Sequence, residues 1–208
     1  MNNRRSFIIG IKSTKLSTSE KKFLKIYKPW GVILFSRNIK NTKQTLELTT
    51  SIRKIFNDKR YPILIDQEGG RINRLKNIIS FDNLTSEFFG NKYITNQKEF
   101  IFYYKLFIDK TSYLLKSIGV NINTSPVLDL RVKGTSNVIG DRSFSKDPKI
   151  VSKIGDYCIQ FLHENGIGSV IKHIPGHGLA NVDSHFFTPI VSKKKEYLFK
   201  KDFIAFKN

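Results

Sequence analysis

The densest chemistry in this chain lies between residues 171 and 185, in the run Ile-Lys-His-Ile-Pro-Gly-His-Gly-Leu-Ala-Asn-Val-Asp-Ser-His. Lys172, His173, His177, Asp183 and His185 bring together an ammonium, a carboxylate and several imidazoles. Such groups can move protons near neutral pH, grip a polar ligand or ligate a metal. Pro175, Gly176 and Gly178 exclude a helix through the middle. The polar groups must therefore sit at a strand end and on an excursion beyond it. The apolar run just before them, residues 167–171, is short enough for one buried strand. A buried strand that opens into a Gly- and His-rich loop is where α/β enzymes place their chemistry.

The elements that must position this segment are legible as alternating apolar runs and helical patterns. Strands are predicted at residues 6–11, 31–35, 61–66, within 121–129, and at 168–172. Ser17-Thr-Ser-Glu20 offers an N-cap for a helix through about Tyr27. Residues 42–57 form an amphipathic pattern, with Leu46, Leu48, Ile52 and Ile55 placed on one side. A long irregular segment is expected from Gln67 to about Asn91, then a helix over residues 96–117. Another helix is predicted over 147–165, where Ile150, Ile154, Cys158 and Leu162 recur every four residues. The lysine-rich tail from Ser192 reads as a last helix.

Near-continuous apolar strands alternating with helices imply a parallel sheet covered by helices. Two windings satisfy that pattern, an open doubly wound sheet and a closed barrel. No G-x-G-x-x-G follows the first strand, so the dinucleotide-binding version lacks its main support. Polar residues instead cluster just after each strand: Ser36-Arg-Asn38, Asp66-Gln-Glu-Gly-Gly-Arg71, Asp129 and Lys172-His173. That is the active-site face of a (β/α)8 TIM barrel. A full barrel needs about 250 residues. The prediction is therefore an incomplete barrel of about the first five βα units.

Composition narrows the partners. The chain has 208 residues, 39% hydrophobic, enough for a sizeable core in one domain. Its single cysteine, Cys158, sits in an apolar helical stretch and reads as a buried, inert thiol. The N-terminal apolar run is too brief for a signal peptide, and nothing approaches a membrane span. A cytoplasmic protein with no membrane partner is expected. The net charge of +19 invites a nucleic-acid reading. The lysines are scattered rather than gathered in a stripe, however, so the expected effect is a positive field favouring anionic ligands and no nucleic-acid partner.

Three stretches in order, Ile65-Asp-Gln-Glu-Gly-Gly-Arg71, Ser136-Asn-Val-Ile-Gly-Asp-Arg-Ser-Phe144 and Lys172-His-Ile-Pro-Gly-His-Gly178 with Asp183-Ser-His185, resemble the catalytic domain of glycoside hydrolase family 3. Its bacterial β-N-acetylglucosaminidase branch, which acts in peptidoglycan recycling, is the nearest pattern. Gly31-Val-Ile-Leu-Phe-Ser-Arg-Asn38 and Ser125-Pro-Val-Leu-Asp129 fit it too, so the resemblance covers nearly the whole chain, residues 1–208 being the N-terminal part of such a barrel domain.

The resemblance implies hydrolysis of terminal β-N-acetylglucosaminides by a retaining mechanism, without a cofactor or metal. The substrate would be an N-acetylglucosamine-containing saccharide or muropeptide. His185 would be the acid/base, backed by Asp183. Imidazole titrates near neutrality and can give and retake the proton that glycoside cleavage needs. Sugar binding would fall on Asp66, Arg74, Arg142, Lys172 and His173. Glu68 and Arg71 read as scaffolding, and His177 as a group that orders the loop. The family's nucleophile, an aspartate in an Asp-Asp-Leu-type motif, has no match here. It is expected beyond residue 208, which would make the chain part of a longer enzyme, or a truncated product, and inactive as given. Two other readings stand beside this one: a non-catalytic sugar-binding remnant, and a metal-dependent hydrolase built on His173, His177, Asp183 and His185.

Lys172 and His173 pose a geometric problem. Adjacent strand residues point to opposite faces. Both can face one sugar only if the backbone departs from regular geometry through a bulge, a sparsely populated dihedral or a cis peptide. The Ile174–Pro175 bond is a separate cis candidate.

Overall fold

A computed structural model of the chain describes residues 4–132, 137–184 and 186–207. In chain order the elements are β1 (Arg5–Gly10), α1 (Thr18–Tyr27), β2 (Pro29–Leu34), α2 (Thr42–Phe56), β3 (Ile63–Ile65), α3 (Ser86–Thr95) and α4 (Gln97–Ser117). There follow β4 (Ile122–Asn123), α5 (Pro148–Glu164), β5 (Gly168–Ser169), α6 (Lys195–Lys200) and α7 (Asp202–Lys207). The strands make one five-stranded sheet in the order β1-β2-β3-β4-β5. Every neighbouring pair is parallel. Strands laid side by side in chain order are the winding of a βα-barrel wall; a doubly wound sheet would place β1 in its interior.

Local chemistry sets most of the helix ends. Ser17 and Glu20 form a reciprocal capping box at the start of α1. Asn41, Asn96 and Asp147 cap α2, α4 and α5 through their side-chain oxygens. Lys28 and Asn57 end α1 and α2 in the left-handed region, at φ 45° and 47°. The strands are buried wherever they cross the core: Val32, Leu34, Ile63 and Ile65 are inaccessible to solvent.

Several expectations need correction. α3 forms where an irregular segment was expected as far as Asn91. Thr85 Oγ1 accepts the Phe88 N–H at 3.0 Å and starts the helix, but Gly90 in its interior and the exposed Phe88 obscure the pattern. The C-terminal tail is two short helices rather than one. Lys201 leaves helical geometry at φ −127°, ψ −87°, and α7 turns Asp202 and Ala205 inward, packing on α5. In α2, Leu48 and Ile52 are buried, but Leu46 is exposed; residues two apart do not share a helix face. β5 is shorter than residues 168–172, and Lys172 meets Val127 as an isolated parallel bridge.

An aromatic cluster fills the space between α3, α4 and α5. Phe100 stacks on Tyr104 at 5.1 Å, Phe89 lies 5.1 Å from Phe107, and Tyr104 meets Phe144 edge-on at 6.0 Å. Cys158 is free and buried beside this cluster, and burial pushes its thiol up to about 12. It is inert at neutral pH, as the sequence implied.

Gly90 fixes how closely α3 approaches the loop that follows β4. A Cβ built there would stand 1.7 Å from the Phe144 carbonyl oxygen, a backbone atom that cannot rotate away. Gly90→Ala should therefore destabilise the fold by about 2 kcal/mol or more, although alanine is the better helix former by about 1 kcal/mol. Urea denaturation checks the sign.

Candidate active site

Three strand ends and one turn converge on the C-terminal side of the sheet. β3 runs straight into Asp66, Gln67 and Glu68. Asp66 and Glu68, two residues apart on extended chain, face the same side. β4 is followed by Thr124 and Asp129, β5 by Lys172 and His173, and a 3-10 turn at Gly140–Arg142 delivers Arg142.

Lys172 is the bridge. Its Nζ lies 2.8 Å from Asp66 Oδ1, 2.7 Å from Glu68 Oε1 and 3.2 Å from Thr124 Oγ1. Thr124 Oγ1 also donates to Asp66 Oδ1. Arg142 grips Glu68 with both prongs, Nε to Oε2 at 2.8 Å and Nη2 to Oε1 at 2.9 Å. Arg74 stands at the margin, Nη2 3.8 Å from Asp66 Oδ2.

His173 is held from the other side. Its Nδ1 lies 2.5 Å from the fully buried Asp129 Oδ2, and its Nε2 faces Arg142 Nη2 at 3.4 Å. Arginine can only donate, so this network assigns the proton to Nδ1 and leaves Nε2 as the acceptor. The other oxygen of Asp129 accepts the His177 N–H at 2.6 Å. The Lys172–His173 and Ile174–Pro175 peptides are both cis. The departure from strand geometry expected at this step is thus present, and Lys172 and His173 both reach groups of the same cluster.

The electrostatics follow from these contacts. Burial works against charge on Asp66, but Lys172, Thr124 and Arg74 outweigh it and hold the carboxyl below its ordinary range. Burial is likewise the largest influence on Glu68, and Arg142 with Lys172 overcomes it, again lowering the pKa. Arg142 is desolvated too, yet Glu68 keeps its guanidinium more firmly protonated than usual. The cluster is a set of fixed charges, with donors and acceptors side by side. That arrangement suits paired hydroxyls and an amide carbonyl.

Of the predicted site residues, Asp66, Arg142, Lys172 and His173 come together, with Arg74 at the edge. Asp183 lies on the separate loop after Ala180, where its carbonyl accepts the N–H groups of Phe186 and Phe187 at 3.1 and 2.9 Å. His185 lies outside the described residues. Glu68 and Arg71 act as scaffolding: Glu68 ties Arg142 to Lys172, and Arg71 binds Asp141 at 2.8 Å and three carbonyls of residues 137–139. Thr124 is not among the predicted site residues, and Asp129 reads in the sequence only as a polar residue after a strand. Their signal was position alone, immediately after a strand. Among the described residues, no three of His, Cys, Asp and Glu converge as metal ligands.

Glu68 is the group whose loss should be felt most in folding. Glu68→Gln leaves Arg142 and Lys172 without their shared counter-charge and should cost about 3 kcal/mol. The pH dependence has a definite sign. Carboxyls with depressed folded pKa values stabilise above their unfolded pKa, and that contribution is lost as pH falls through the folded value. Wild-type stability should therefore decline below the ordinary carboxylate range, about pH 4, and the Gln variant should show a shallower decline. Denaturant titrations across pH measure both.

The chain has clear relatives. A β-hexosaminidase of Hydrogenovibrio crunogenus is 35% identical over 199 residues, which covers 96% of this chain and 55% of that protein. A β-hexosaminidase of Xanthomonas campestris pv. campestris is 32% identical over 200 residues, 96% of this chain and 59% of its own length. This chain thus spans a little over half the length of these relatives. Native NagZ from Neisseria gonorrhoeae has the same fold, with a TM-score of 0.87 at 27% identity over 98% of this chain and 59% of that one. The complex of that NagZ with N-trifluoroacetyl-D-glucosamine gives a TM-score of 0.86. Residues 7–208 match the glycosyl hydrolase family 3 N terminal domain, and the chain, with its parallel strands and its cluster at their C-terminal ends, belongs to that family.

Proposed function

We propose that this chain is the sugar-binding part of an enzyme that hydrolyses terminal β-N-acetylglucosaminides, cytoplasmic and of the peptidoglycan-recycling type, with N-acetylglucosamine-containing saccharides or muropeptides as substrates. The observation that carries the reading is the convergence of Asp66, Lys172, Arg142 and His173 at the ends of β3, β5 and the 3-10 turn. Asp66 would accept two sugar hydroxyls. Lys172 and Arg142 would donate to hydroxyls or to the N-acetyl carbonyl. His173 Nε2, already an acceptor, would accept a hydrogen bond from a sugar hydroxyl.

In this reading His185 protonates the leaving oxygen and then deprotonates water, while Asp183 orients the imidazole and stabilises its charged form. A retaining route also needs a carboxylate nucleophile about 5 Å from the acid/base. Asp66 and Glu68 are committed to Lys172 and Arg142, and Asp129 to His173 and His177. The nucleophile is therefore assigned to no carboxylate of this cluster, and the 208-residue chain should bind sugar without turning it over.

Two measurements test the proposal. Calorimetry with N-acetylglucosamine should give saturable binding that Lys172→Ala and Asp66→Asn each weaken by roughly tenfold, the worth of one charged hydrogen bond. Lys22→Ala, on α1, should leave binding unchanged. Turnover of an aryl N-acetyl-β-glucosaminide should be absent from the chain alone. In an enzyme that contains the chain, His185→Ala should lower kcat by about a hundredfold or more. Sugar binding that is indifferent to Lys172 and Asp66 would overturn the assignment of the site.

A further inference from the structure

Away from the site, α4 departs from the pattern of an outer-layer helix. Its inner face is buried through Phe100, Tyr104, Phe107, Ile108, Leu114 and Leu115. Its outer face is apolar as well: Phe102, Leu106 and Tyr113 are 65%, 57% and 64% exposed. They are separated by four and seven residues and so form one stripe. A helix apolar on both faces is normally covered on both. Tyr103 widens the stripe, its ring 5.2 Å from that of Phe102. It leads into a groove of about 290 Å³ between α3 and α4, floored by Phe81, Leu84, Phe89 and Phe107.

Lysines border this surface on both flanks. Lys92 and Lys110 stand at the mouth of the groove, 5.1 Å from the Tyr103 ring and 5.7 Å from the Tyr113 ring. Lys98, Lys105 and Lys116 follow the opposite flank by helical position. Two of these lysines are paired with carboxylates, Lys92 with Glu99 at 2.5 Å and Lys105 with Asp109 at 3.3 Å and Glu164 at 3.1 Å, so Lys98, Lys110 and Lys116 carry the positive charge of the rim. The surface is apolar at its centre and positive at its rim, on a chain of net charge +19. Within the wall the flanks of α4 are already occupied. It packs on α3 and α5, and the Ile118 carbonyl at its end accepts the Thr49 hydroxyl of α2 at 2.9 Å. The outward face is what remains.

We propose that this face of α4 docks on an anionic lipid surface, with its rings at the boundary of headgroups and acyl chains and its lysines on the headgroup phosphates. The docking is peripheral, since no described helix is long and apolar enough to cross a membrane, and it departs from the sequence-based expectation of no membrane partner. Charge argues against a second copy as the occupant: a two-fold contact would press the same lysine rim against itself. Separately protruding rings suit a fluid apolar phase that closes around each of them. A folded acidic partner would have to be complementary to every one.

Co-sedimentation of the chain with phosphatidylcholine vesicles, with and without phosphatidylglycerol, tests this. Binding is expected on the anionic vesicles, little on the neutral ones, and less at high salt. The triple variant Phe102→Ser, Leu106→Ser, Tyr113→Ser should lose about tenfold or more in partitioning while its thermal transition holds, because the side chains removed face solvent. Independently, Lys98→Gln with Lys110→Gln should lose about tenfold, and Lys21→Gln with Lys22→Gln on α1 should lose far less. Equal losses for the two lysine pairs, or an unaffected serine variant, would mean general attraction of a basic chain and would overturn the proposal. So would a dimer in sedimentation equilibrium that the serine variant abolishes, which would assign the face to a second copy. Serine-sensitive binding to polyglutamate with none to anionic vesicles would assign it to an acidic protein and overturn the proposal equally.

Discussion

The ammonium of Lys172 spans a strand. It leaves the end of β5, passes Thr124 at the end of β4, and reaches two carboxylates at the end of β3. Neighbouring strands lie about 4.8 Å apart, so a flat sheet would put these ends some 10 Å from each other. A lysine and a carboxylate side chain joined by a hydrogen bond can span that distance, so the bridge clamps β5 to β3 across β4 at their C-terminal ends. It also fixes register, because a one-residue slip of β3 would turn Asp66 and Glu68 away together. Arg142 completes the arrangement by holding both oxygens of Glu68, so a turn contributed from beyond β4 is locked to the same point. Each member is desolvated and each depends on its partners for compensation. The site is rigid because its charges cannot afford to separate.

Amide and backbone contacts carry that rigidity into the sheet. Asn123 on β4 exchanges hydrogen bonds with the backbone of Gln67, at 3.0 and 2.8 Å. The Gln67 side chain in turn accepts the N–H groups of Arg74 and Leu75. The long segment after β3 is thereby folded back onto the strand end that carries Asp66. Asp129 performs a similar task beyond β4, orienting the His173 ring with one oxygen and anchoring the His177 backbone with the other.

Behind the polar layer, the aromatic cluster determines where Arg142 can stand. Phe144, two residues on, packs against Tyr104, and its carbonyl fits over Gly90 of α3. α3 and α4 therefore do more than cover the sheet: they set the height of the turn that delivers the guanidinium. The same two helices carry the exposed apolar face, so one hairpin supports the polar cluster on its inner side and presents a separate surface on its outer side.

The amino-acid sequence by itself determined the five strands, their parallel order, and α1, α2, α4 and α5. Those features rest on local signals: apolar runs, a cap at Ser17, and periodicity along each helix. It also determined most members of the polar cluster, because residues immediately after β3 and β5 must emerge on one side of a parallel sheet. With the family resemblance, which gives Lys172 and His173 to one sugar, it also implied an irregular step between them, since regular pleating cannot turn both inward. Only the tertiary structure decided α3, whose interior Gly90 makes sense against a carbonyl 54 residues away in sequence. The same holds for the break between α6 and α7, where α7 turns to pack on α5, and for Glu68 as the junction of Arg142 and Lys172. These depend on pairs distant in sequence, such as Arg142 and Glu68 at a separation of 74 residues. No local pattern encodes such pairs; they exist once the parallel sheet has placed the strand ends on one side.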